Sequence, residues 1–358
     1  MKQQQFTCQL IDWHQRENKR ILPWKGEQDP YKIWLSEIIL QQTRAEQGLP
    51  YYQKFIQKYP TIADLAQAPD TEVFKLWEGL GYYSRCKNLL HTARYIVNEW
   101  GGKFPENYES ILSLKGIGPY TAAAISAFAY NLPHAVVDGN VFRVLARCFG
   151  IYTPADAAEG RKIFTELASQ LLDKEQPALY NQAIMDFGAT ICKPVNPLCK
   201  QCPQQNLCEA YLNGTINELP VKEKKLIKKM RWFTYFIFDV GGKTLVHQRV
   251  AKDIWQSLYE FYLIETDANP HWDNEKINTY LQNQFGVKDF IFRYISPFLS
   301  QQLTHQTVKA QFISVQLPQI PSMLQHYEWM DKEQIAQLAF PKIINEYRDS
   351  ESFPAMLF

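Results

Sequence analysis

The chain contains 358 residues, of which 46% are hydrophobic and 14% aromatic, and its formal net charge is +1. This length exceeds what one compact core usually holds, so we expect two or three domains, and the apolar content excludes a disordered chain. The N-terminal segment MKQQQFTCQL lacks the apolar core of a signal peptide, and no apolar run approaches about 18 residues. We therefore expect a cytoplasmic protein with no membrane partner. The near-neutral net charge neither indicates nor excludes nucleic-acid binding, because a nucleic-acid site needs only a local basic surface.

A carboxylate interrupts the first strongly apolar segment, KIWLSEIILQQT at residues 32–43. On a helix, Glu37 would share a face with Ile33 and Trp34, which is a core-like face. Because burial disfavours the ionised form, an unpaired Glu37 would have a raised pKa and keep its proton near neutral pH. Such a group is a general acid. The alternative is a structural Glu37 that caps a neighbouring helix or pairs with an arginine.

Helical patterns continue to about residue 215, and one of them contains a tight glycine turn. In ILSLKGIGPYTAAAISAFAY, Gly116, Ile117 and Gly118 lie between two helical runs. Glycines there allow positive φ and close approach, so successive amides can face one phosphate at a helix N-terminus. Taken alone, the turn also fits a plain corner between helices. Twenty residues after Gly118, Asp138 ends an apolar run immediately before a Gly-Asn turn.

The seven cysteines are unevenly distributed along the chain. Cys8, Cys86 and Cys148 are isolated and are expected to be small buried hydrophobes. The others fall within the loop CKPVNPLCKQCPQQNLC, as Cys192, Cys199, Cys202 and Cys208. Four thiols so close together in a reducing compartment indicate a metal centre. A single CxxC with two outlying cysteines favours an iron–sulfur cluster, with zinc as the alternative.

From Arg231 the pattern changes to that of an α+β domain. RWFTYFIFDVGGKTLVHQRV contains two strand-like runs around a Gly-Gly turn, which predicts a β-hairpin. Strand-like LYEFYLIET and FIFRYISPF follow, with the helical pattern DNEKINTYLQNQF between them. The Lys-rich stretch LPVKEKKLIKKMR precedes this domain and fits either a solvated linker or a tether that contacts phosphate.

A helix-hairpin-helix turn, an aspartate about twenty residues later and a four-cysteine loop, in this order, resemble the DNA glycosylase superfamily that contains endonuclease III. Within it, the WLSEIILQQT and GLGYYSR segments and the β-rich C-terminal half resemble the adenine-specific mismatch glycosylases, the MutY family. The resemblance implies a mainly α helix-hairpin-helix glycosylase core with an iron–sulfur loop, followed by an α+β Nudix-like domain. The implied divisions are a core at 1–218 (a six-helix module at about 24–135, and an iron–sulfur module from 1–23 plus 136–218), a basic linker at 219–230 and a lesion-recognition domain at 231–358.

The function implied by the resemblance is base-excision repair. The enzyme would hydrolyse the N-glycosidic bond of adenine mispaired with 8-oxoguanine or guanine, after flipping the adenine out of double-stranded DNA. Glu37 would protonate adenine at nitrogen 7, and Asp138 would stabilise the oxocarbenium-like sugar, with Asn140 orienting that side of the site. Tyr120 stands where bifunctional endonuclease III-like enzymes have a lysine that attacks the sugar. Because a phenol cannot form a Schiff base, a monofunctional hydrolase is expected.

The resemblance also assigns a cofactor and DNA contacts. The four loop cysteines would hold a [4Fe–4S] cluster. Residues implied to wedge into or contact the duplex are Gln42, Leu80, Tyr82, Gly116, Ile117 and Gly118. Adenine would be recognised by Lys25 and Gln182, although an arginine is common where Lys25 stands. The loop implied to recognise 8-oxoguanine departs from the family's Phe-Ser-His and consists of Leu303, Thr304 and His305.

Two alternatives remain open at this point. One is an endonuclease III-like bifunctional glycosylase and lyase for oxidised pyrimidines, and the other is a non-catalytic DNA-binding iron–sulfur protein, which would need neither carboxylate. The C-terminal half lacks the Arg-Glu-x-x-Glu-Glu cluster with which a Nudix hydrolase holds Mg²⁺, so we expect a reader domain without hydrolase activity. The protein is expected to be a monomeric, nucleoid-associated bacterial protein, and the sequence identifies no protein partner.

Overall fold

The structure is a computed structural model that describes residues 2–223 and 228–350. Residues 224–227 of the predicted linker and 351–358 of the predicted C-terminal domain lie outside the described residues, as does Met1. Within the described ranges, no helix is both long enough and apolar enough to cross a membrane.

Residues 2–223 are helical, as the sequence pattern predicts. The helices are α1 (Lys2–Arg16), α2 (Pro30–Leu40), α3 (Ala45–Lys58), α4 (Ile62–Gln67), α5 (Asp70–Trp77), α6 (Ser84–Trp100), α7 (Tyr108–Ser113), α8 (Pro119–Tyr130), α9 (Gly139–Phe149), α10 (Ala158–Leu171), α11 (Pro177–Thr190) and α12 (Glu209–Leu212). Helices α2, α4, α7 and α9 each begin after a side chain that accepts a hydrogen bond from a first-turn amide, namely Asp29, Thr61, Asn107 and Asp138. These N-caps satisfy amides that have no partner inside the helix.

Residues 228–350 form an α+β fold, which confirms the predicted change of class. The strands are β1 (Lys229–Val240), β2 (Lys243–Gln248), β3 (Tyr259–Glu260), β4 (Tyr262–Thr266), β5 (Ile291–Ile295), β6 (Leu299–Gln302), β7 (Gln306–Gln316) and β8 (Glu328–Met330). The helices are α13 (Asn274–Phe285), α14 (Lys332–Ala336) and α15 (Lys342–Arg348).

Strand β1 is the centre of the sheet. It pairs in parallel with β7 and antiparallel with β2 and β4. The predicted hairpin between β1 and β2 is confirmed, and its two turn residues, Gly241 and Gly242, have φ of 58° and 80°. A two-residue turn with both φ values positive favours glycine because other residues rarely adopt that conformation.

Both faces of this sheet are buried. Phe233 and Tyr235 on one face of β1 pack in a cluster with Ile343 of α15, whereas Phe236 on the other face packs with Leu281 of α13. Side chains alternate between faces along a strand, so a strand covered on both sides needs apolar residues at successive positions. This explains why β1 reads as an almost unbroken aromatic run.

The contacts divide the chain into two compact units. One comprises Met1–Gln67 and Lys87–Lys225, and the other comprises Ala68–Cys86 and Leu226–Phe358. The sheet unit therefore includes α5 and the turn that follows it, although these lie within the helical part of the sequence. The boundaries implied by the family resemblance stay a prediction.

The expectation that all three isolated cysteines are buried is wrong for Cys8. Cys86 and Cys148 are buried, but Cys8 is exposed. The reason is the periodicity of α1, whose buried residues are Phe6, Leu10 and Trp13. These follow a spacing of four and three residues along one face, and Cys8 falls on the opposite face.

Candidate active site

A cleft of about 1050 Å³ opens within the helical unit. It is lined by side chains from α2, α8, α9, α11 and the segment that follows α1. The predicted site residues that line it are Lys25, Glu37, Gln42, Tyr120, Asp138, Asn140 and Gln182. The structure therefore brings the predicted catalytic and adenine-contacting residues to one cavity.

Glu37, the predicted general acid, lies in this cleft, and its side chain projects from the buried helix α2. Ile33 and Trp34 are buried beside it on α2, and Glu37 itself is 7% exposed. Desolvation raises the pKa of Glu37 to about 7, and the charge of Asp138 acts in the same direction, while a hydrogen bond with Tyr120 opposes the shift. No arginine or lysine of the described chain contributes to this shift. A carboxyl group in this environment retains its proton near neutral pH.

Tyr120 is buried against this carboxyl group. Desolvation raises its pKa well above the ordinary value, and the nearby Glu37 and Asp138 raise it further. The phenol is therefore neutral, and it hydrogen-bonds with Glu37. Its oxygen also lies 3.7 Å from Sδ of Met185. Tyr120 is thus a neutral hydrogen-bonding neighbour of the Glu37 carboxyl.

Asp138 is buried too, but its environment differs from that of Glu37. As the N-cap of α9, it accepts hydrogen bonds from the amide of Val141 at 2.8 Å and from Nδ2 of Asn140 at 2.7 Å. Burial raises the pKa of Asp138 above its ordinary value, and these two donors and the charge of Arg143 offset part of that rise. Donors aimed at both carboxylate oxygens favour the ionised form. The cleft therefore contains one carboxyl group, Glu37, with a phenol as its hydrogen-bond partner, and another, Asp138, with two amide donors.

Arg143 connects this site to the cysteine loop, and the sequence analysis did not identify it. Its Nη2 donates to Oδ1 of Asn140 at 2.9 Å and to the carbonyl of Gly188 at 2.7 Å, while its Nε donates to the carbonyl of Cys192 at 2.7 Å. A Cβ on Gly188 would lie 2.6 Å from Cβ of Asn140, so only glycine permits this approach of α9 and α11. The sequence feature that could have indicated a buried role for Arg143 is its position within the apolar run VFRVLA.

Asp186 is a second residue that the sequence analysis missed. It is fully buried on α11, where Oδ1 accepts from Nη1 of Arg20 at 2.9 Å and Oδ2 accepts from Nδ2 of Asn18 at 2.8 Å and Nζ of Lys25 at 3.1 Å. The ring of His14 lies 3.9 Å away, and burial lowers its pKa. Asp186 therefore ties the segment after α1 to α11 and holds Lys25 at the wall of the cleft.

The four clustered cysteines line one small cavity of about 20 Å³, together with Arg147 and Cys148. Nη1 of Arg147 lies 3.6 Å from Sγ of Cys192, and Sγ of Cys208 donates to the carbonyl of Arg147 at 3.4 Å. Cys148 hydrogen-bonds with Cys208. In residues 2–223 and 228–350, no group of three or more His, Cys, Asp or Glu side chains is placed to hold a single metal ion.

The predicted hairpin lies between α7 and α8. Gly116 has φ of 82°, and a Cβ there would lie 2.7 Å from Cβ of Asn88, so the turn needs glycine for two reasons. Ile117 is buried and anchors the turn, and Gly118 is the N-cap residue of α8. The hairpin thus presents a helix N-terminus, which is a general anion-binding feature.

The remaining predicted DNA contacts lie in the sheet unit. Tyr82 is 45% exposed with φ of 48°, whereas Leu80 is 6% exposed. Leu303 packs against the apolar cluster on the α15 face of the sheet, and His305 is exposed. The hydroxyl of Thr304 forms a hydrogen bond with the phenol of Tyr82.

Comparisons with known proteins match both parts of the chain. Residues 35–170 match the family model of the HhH-GPD superfamily base excision DNA repair protein, and residues 234–349 match that of the NUDIX domain. The adenine DNA glycosylase of Buchnera aphidicola subsp. Baizongia pistaciae (strain Bp) is 35% identical over 258 residues, which cover 72% of this chain and 73% of that relative. The human adenine DNA glycosylase is 42% identical over 214 residues, 57% of this chain and 39% of the human protein.

Two solved structures share the helical fold. A thermostable thymine-DNA glycosylase is 33% identical with a TM-score of 0.55, and the match covers 59% of this chain and 97% of that one. Endonuclease III in a non-covalent DNA complex has a TM-score of 0.51 at 20% identity, covering 60% of this chain and 98% of that one.

The helical fold, its hairpin and the match over residues 35–170 define a base-excision DNA repair protein of the helix-hairpin-helix superfamily. The sheet unit adds a Nudix-like domain to this core. Because the similarity to the Buchnera protein extends over nearly three quarters of both chains, the chain belongs to the adenine DNA glycosylase family. The predicted family and fold class are confirmed.

Replacing Asp186 by Asn is expected to lower the free energy of unfolding by about 2–4 kcal/mol, because Arg20 and Lys25 would lose their buried counter-charge. The measurement is urea unfolding at pH 7. Asp12→Asn is the matched control, because Asp12 pairs with Arg16 on the exposed face of α1 and should change stability by less than about 1 kcal/mol. Equal effects of the two substitutions would contradict the role assigned to Asp186.

Proposed function

We propose that the chain removes adenine mispaired with 8-oxoguanine or guanine from double-stranded DNA by acid-catalysed hydrolysis of the N-glycosidic bond. The observation that carries this proposal is the pair of carboxyl groups in one cleft. Glu37 has a pKa of about 7 because it is desolvated, and Asp138 accepts two hydrogen bonds that favour its anion. An acid and an anion side by side are what departure of a base from a sugar requires.

In the proposed reaction, Glu37 gives its proton to nitrogen 7 of adenine. The electrons of the C–N bond leave with the base, which departs as neutral adenine. Positive charge then develops on the deoxyribose, where the Asp138 anion stabilises it, and water adds to the sugar and loses a proton. General acid catalysis of this kind contributes roughly 10²- to 10⁴-fold. Tyr120 contributes by donating to the Glu37 carboxyl group and by remaining neutral beside two carboxyls.

The adenine must leave the duplex before Glu37 can reach it. Flipping costs a few kcal/mol and less at a mismatch. We assign Gln42 and Tyr82 to wedging into the duplex, because both are exposed residues in left-handed backbone conformations at the ends of helices or turns. Lys25 and Gln182 line the cleft and are assigned to adenine. The Nudix-like domain is assigned to reading the opposite base without hydrolysing nucleotides.

A bifunctional lyase of the endonuclease III type is less well supported. Such an enzyme needs an amine that can attack the sugar. Among the cleft-lining residues of the described chain, Lys25 is the one lysine, and its ammonium donates to Asp186 at 3.1 Å and to the carbonyl of Arg20 at 3.2 Å. A non-catalytic DNA-binding protein would have no need for a buried acid beside a hydrogen-bonded carboxylate.

The family resemblance implies a [4Fe–4S] cluster on the four cysteines, and their surroundings fit that cluster. All four border one cavity, and the Arg147 guanidinium beside Cys192 offsets part of the rise that burial causes in the pKa of that thiol. When bound, the cluster would supply four iron–thiolate bonds that fix the loop. Arg143 and Arg147 donate to the backbone carbonyls of Cys192 and Lys193, so the protein itself holds the start of this loop against α9.

Replacing Glu37 by Gln should abolish excision while leaving binding of mismatched DNA within a few-fold, because the amide keeps the shape of the side chain and lacks the acidic proton. The expected loss in the single-turnover rate is at least about 10²-fold. Glu99→Gln, which changes an exposed carboxylate on α6, should react at the wild-type rate. A near-normal rate for Glu37→Gln would show that another group is the acid.

The pH dependence of excision should follow the protonation of Glu37. Below pH 7 the Glu37 carboxyl is protonated, so its protonation should no longer increase the rate as the pH falls. Above pH 7 the protonated fraction falls about tenfold per pH unit, and the single-turnover rate should fall with it. A rate that stays level from pH 7 to 9, with binding unchanged, would rule out Glu37 as the proton donor.

The purified protein is expected to be yellow-brown and to contain about four iron and four sulfide ions per chain. Anaerobic preparation followed by iron, sulfide and zinc analysis is the measurement, and the visible absorption band is a second readout that does not depend on activity. Replacing Cys202 by Ala should reduce the iron content, whereas the same change at exposed Cys8 should not. One zinc ion per chain without sulfide would refute the assignment.

A further inference from the structure

The segment that carries Tyr82 is joined to the sheet unit through contacts that include the carboxylate of Glu78. Residues Ala68–Cys86 group with this unit, and Glu78 lies at the C-terminal end of α5. Its Oε1 accepts hydrogen bonds from the amide of Phe340 and from Nδ2 of Asn345, both at 2.8 Å. Its Oε2 accepts from Nζ of Lys75 at 2.8 Å. The Glu78 side chain is only 18% exposed, so this contact is largely shielded from water.

The partners of Glu78 are themselves fixed. Oδ1 of Asn345 accepts from Nη1 of Arg348 at 3.2 Å, which orients its Nδ2 towards Glu78. The guanidinium of Arg348 stacks on the ring of Phe340, 4.6 Å from its centroid. Lys75 also donates to the carbonyl of Leu338 at 2.9 Å. Glu78 therefore joins α5 to the segment from the end of α14 to α15.

The turn between Glu78 and Tyr82 is held in one conformation. Gly79, Gly81 and Tyr82 all have positive φ, at 97°, 73° and 48°. Nε1 of Trp77 donates to the carbonyl of Gly81 at 3.1 Å, and Nη2 of Arg85 donates to the same carbonyl at 3.1 Å. Because two side chains donate to the Gly81 carbonyl, the turn is restrained, and the position of Tyr82 depends on that of Glu78. At the end of this turn, the phenol of Tyr82 bonds to the hydroxyl of Thr304.

We propose that Glu78 is a positioning residue for recognition of the opposite base. By tying α5 to Phe340 and Asn345, it places Tyr82 beside Thr304, so that the wedge and the reading loop approach the DNA as one element. This inference rests on the proposed function, which assigns the wedge to Tyr82 and the reading of 8-oxoguanine to Thr304. A hydroxyl can rotate to meet either guanine or 8-oxoguanine, and a fixed partner such as Tyr82 restricts that rotation.

The test uses the full-length chain and duplexes with adenine opposite 8-oxoguanine or guanine. Glu78→Ala should lower the ratio of the two single-turnover rates by at least about fivefold, somewhat less than loss of a complete base-edge contact, because the loss falls mainly on the 8-oxoguanine duplex. Glu78→Gln keeps an acceptor for Phe340 and Asn345 and should restore most of the ratio. Asn345→Ala should resemble Glu78→Ala, and the double variant should be no worse than either, because both remove the same connection.

A second readout reports the wedge directly. A fluorescent base analogue next to 8-oxoguanine should show weaker unstacking on binding of Glu78→Ala than of the wild type, while a purely structural link would leave this signal unchanged in the folded variant. If Glu78→Ala does not fold, Asn345→Asp carries the test, since it places a second carboxylate against Glu78 and keeps the side-chain shape. Its rate ratio should fall in the same way.

Thr304→Val tests the reading role of Thr304 separately from the positioning role of Glu78. If Thr304→Val lowers the ratio and Glu78→Ala does not, or if Glu78→Ala slows both reactions equally, the positioning role of Glu78 is overturned and the proposed function stands. If Thr304→Val leaves the ratio unchanged, the reading role of Thr304 is overturned, and this inference with it.

Discussion

Desolvation of Glu37 is the constraint on which the rest of the cleft depends. A carboxyl group on the buried face of α2 keeps its proton near neutral pH because the apolar surroundings disfavour the anion. A cation next to Glu37 would stabilise the carboxylate and lower its pKa again, so the neighbouring side chains must be neutral or bound to other groups. Tyr120 meets the condition by contributing a neutral donor, and two of the cations that line the cleft bind other partners, Arg143 to Asn140 and Lys25 to Asp186.

Asp138, the second carboxyl group, is stabilised by hydrogen-bond donors, and the start of α9 provides them. A backbone amide at Val141 and the amide side chain of Asn140 both donate to Asp138, which offsets part of its burial. Asn140 is oriented in turn by Arg143, whose remaining donors hold the carbonyls of Gly188 and Cys192. The geometry of the anion therefore depends on contacts that extend to the first cysteine of the loop.

Local patterns predicted much of this fold, and long-range partners account for what they missed. The hairpin at Gly241-Gly242, the glycine turn at Gly116 and the buried face around Glu37 each depend on residues within a few positions of one another. Asp186 could not be predicted, because its partners lie about 160 residues earlier in the chain. Burial of a charge is visible in sequence only when the surrounding residues are apolar, and the identity of its partner is set by packing.

Long-range contacts also affect which residues belong to each of the two units. The family resemblance separates a catalytic core at 1–218 from a reader at 231–358, yet Glu78 in the middle of the core sequence binds Phe340 and Asn345 of the sheet unit. Removing residues 231–358 would therefore delete Thr304 and also the partners that fix the turn carrying Tyr82. A change of opposite-base preference in such a truncated protein would have two physical causes. Point substitutions at Thr304 and Glu78 separate these causes, because each leaves the apolar contacts of the sheet in place.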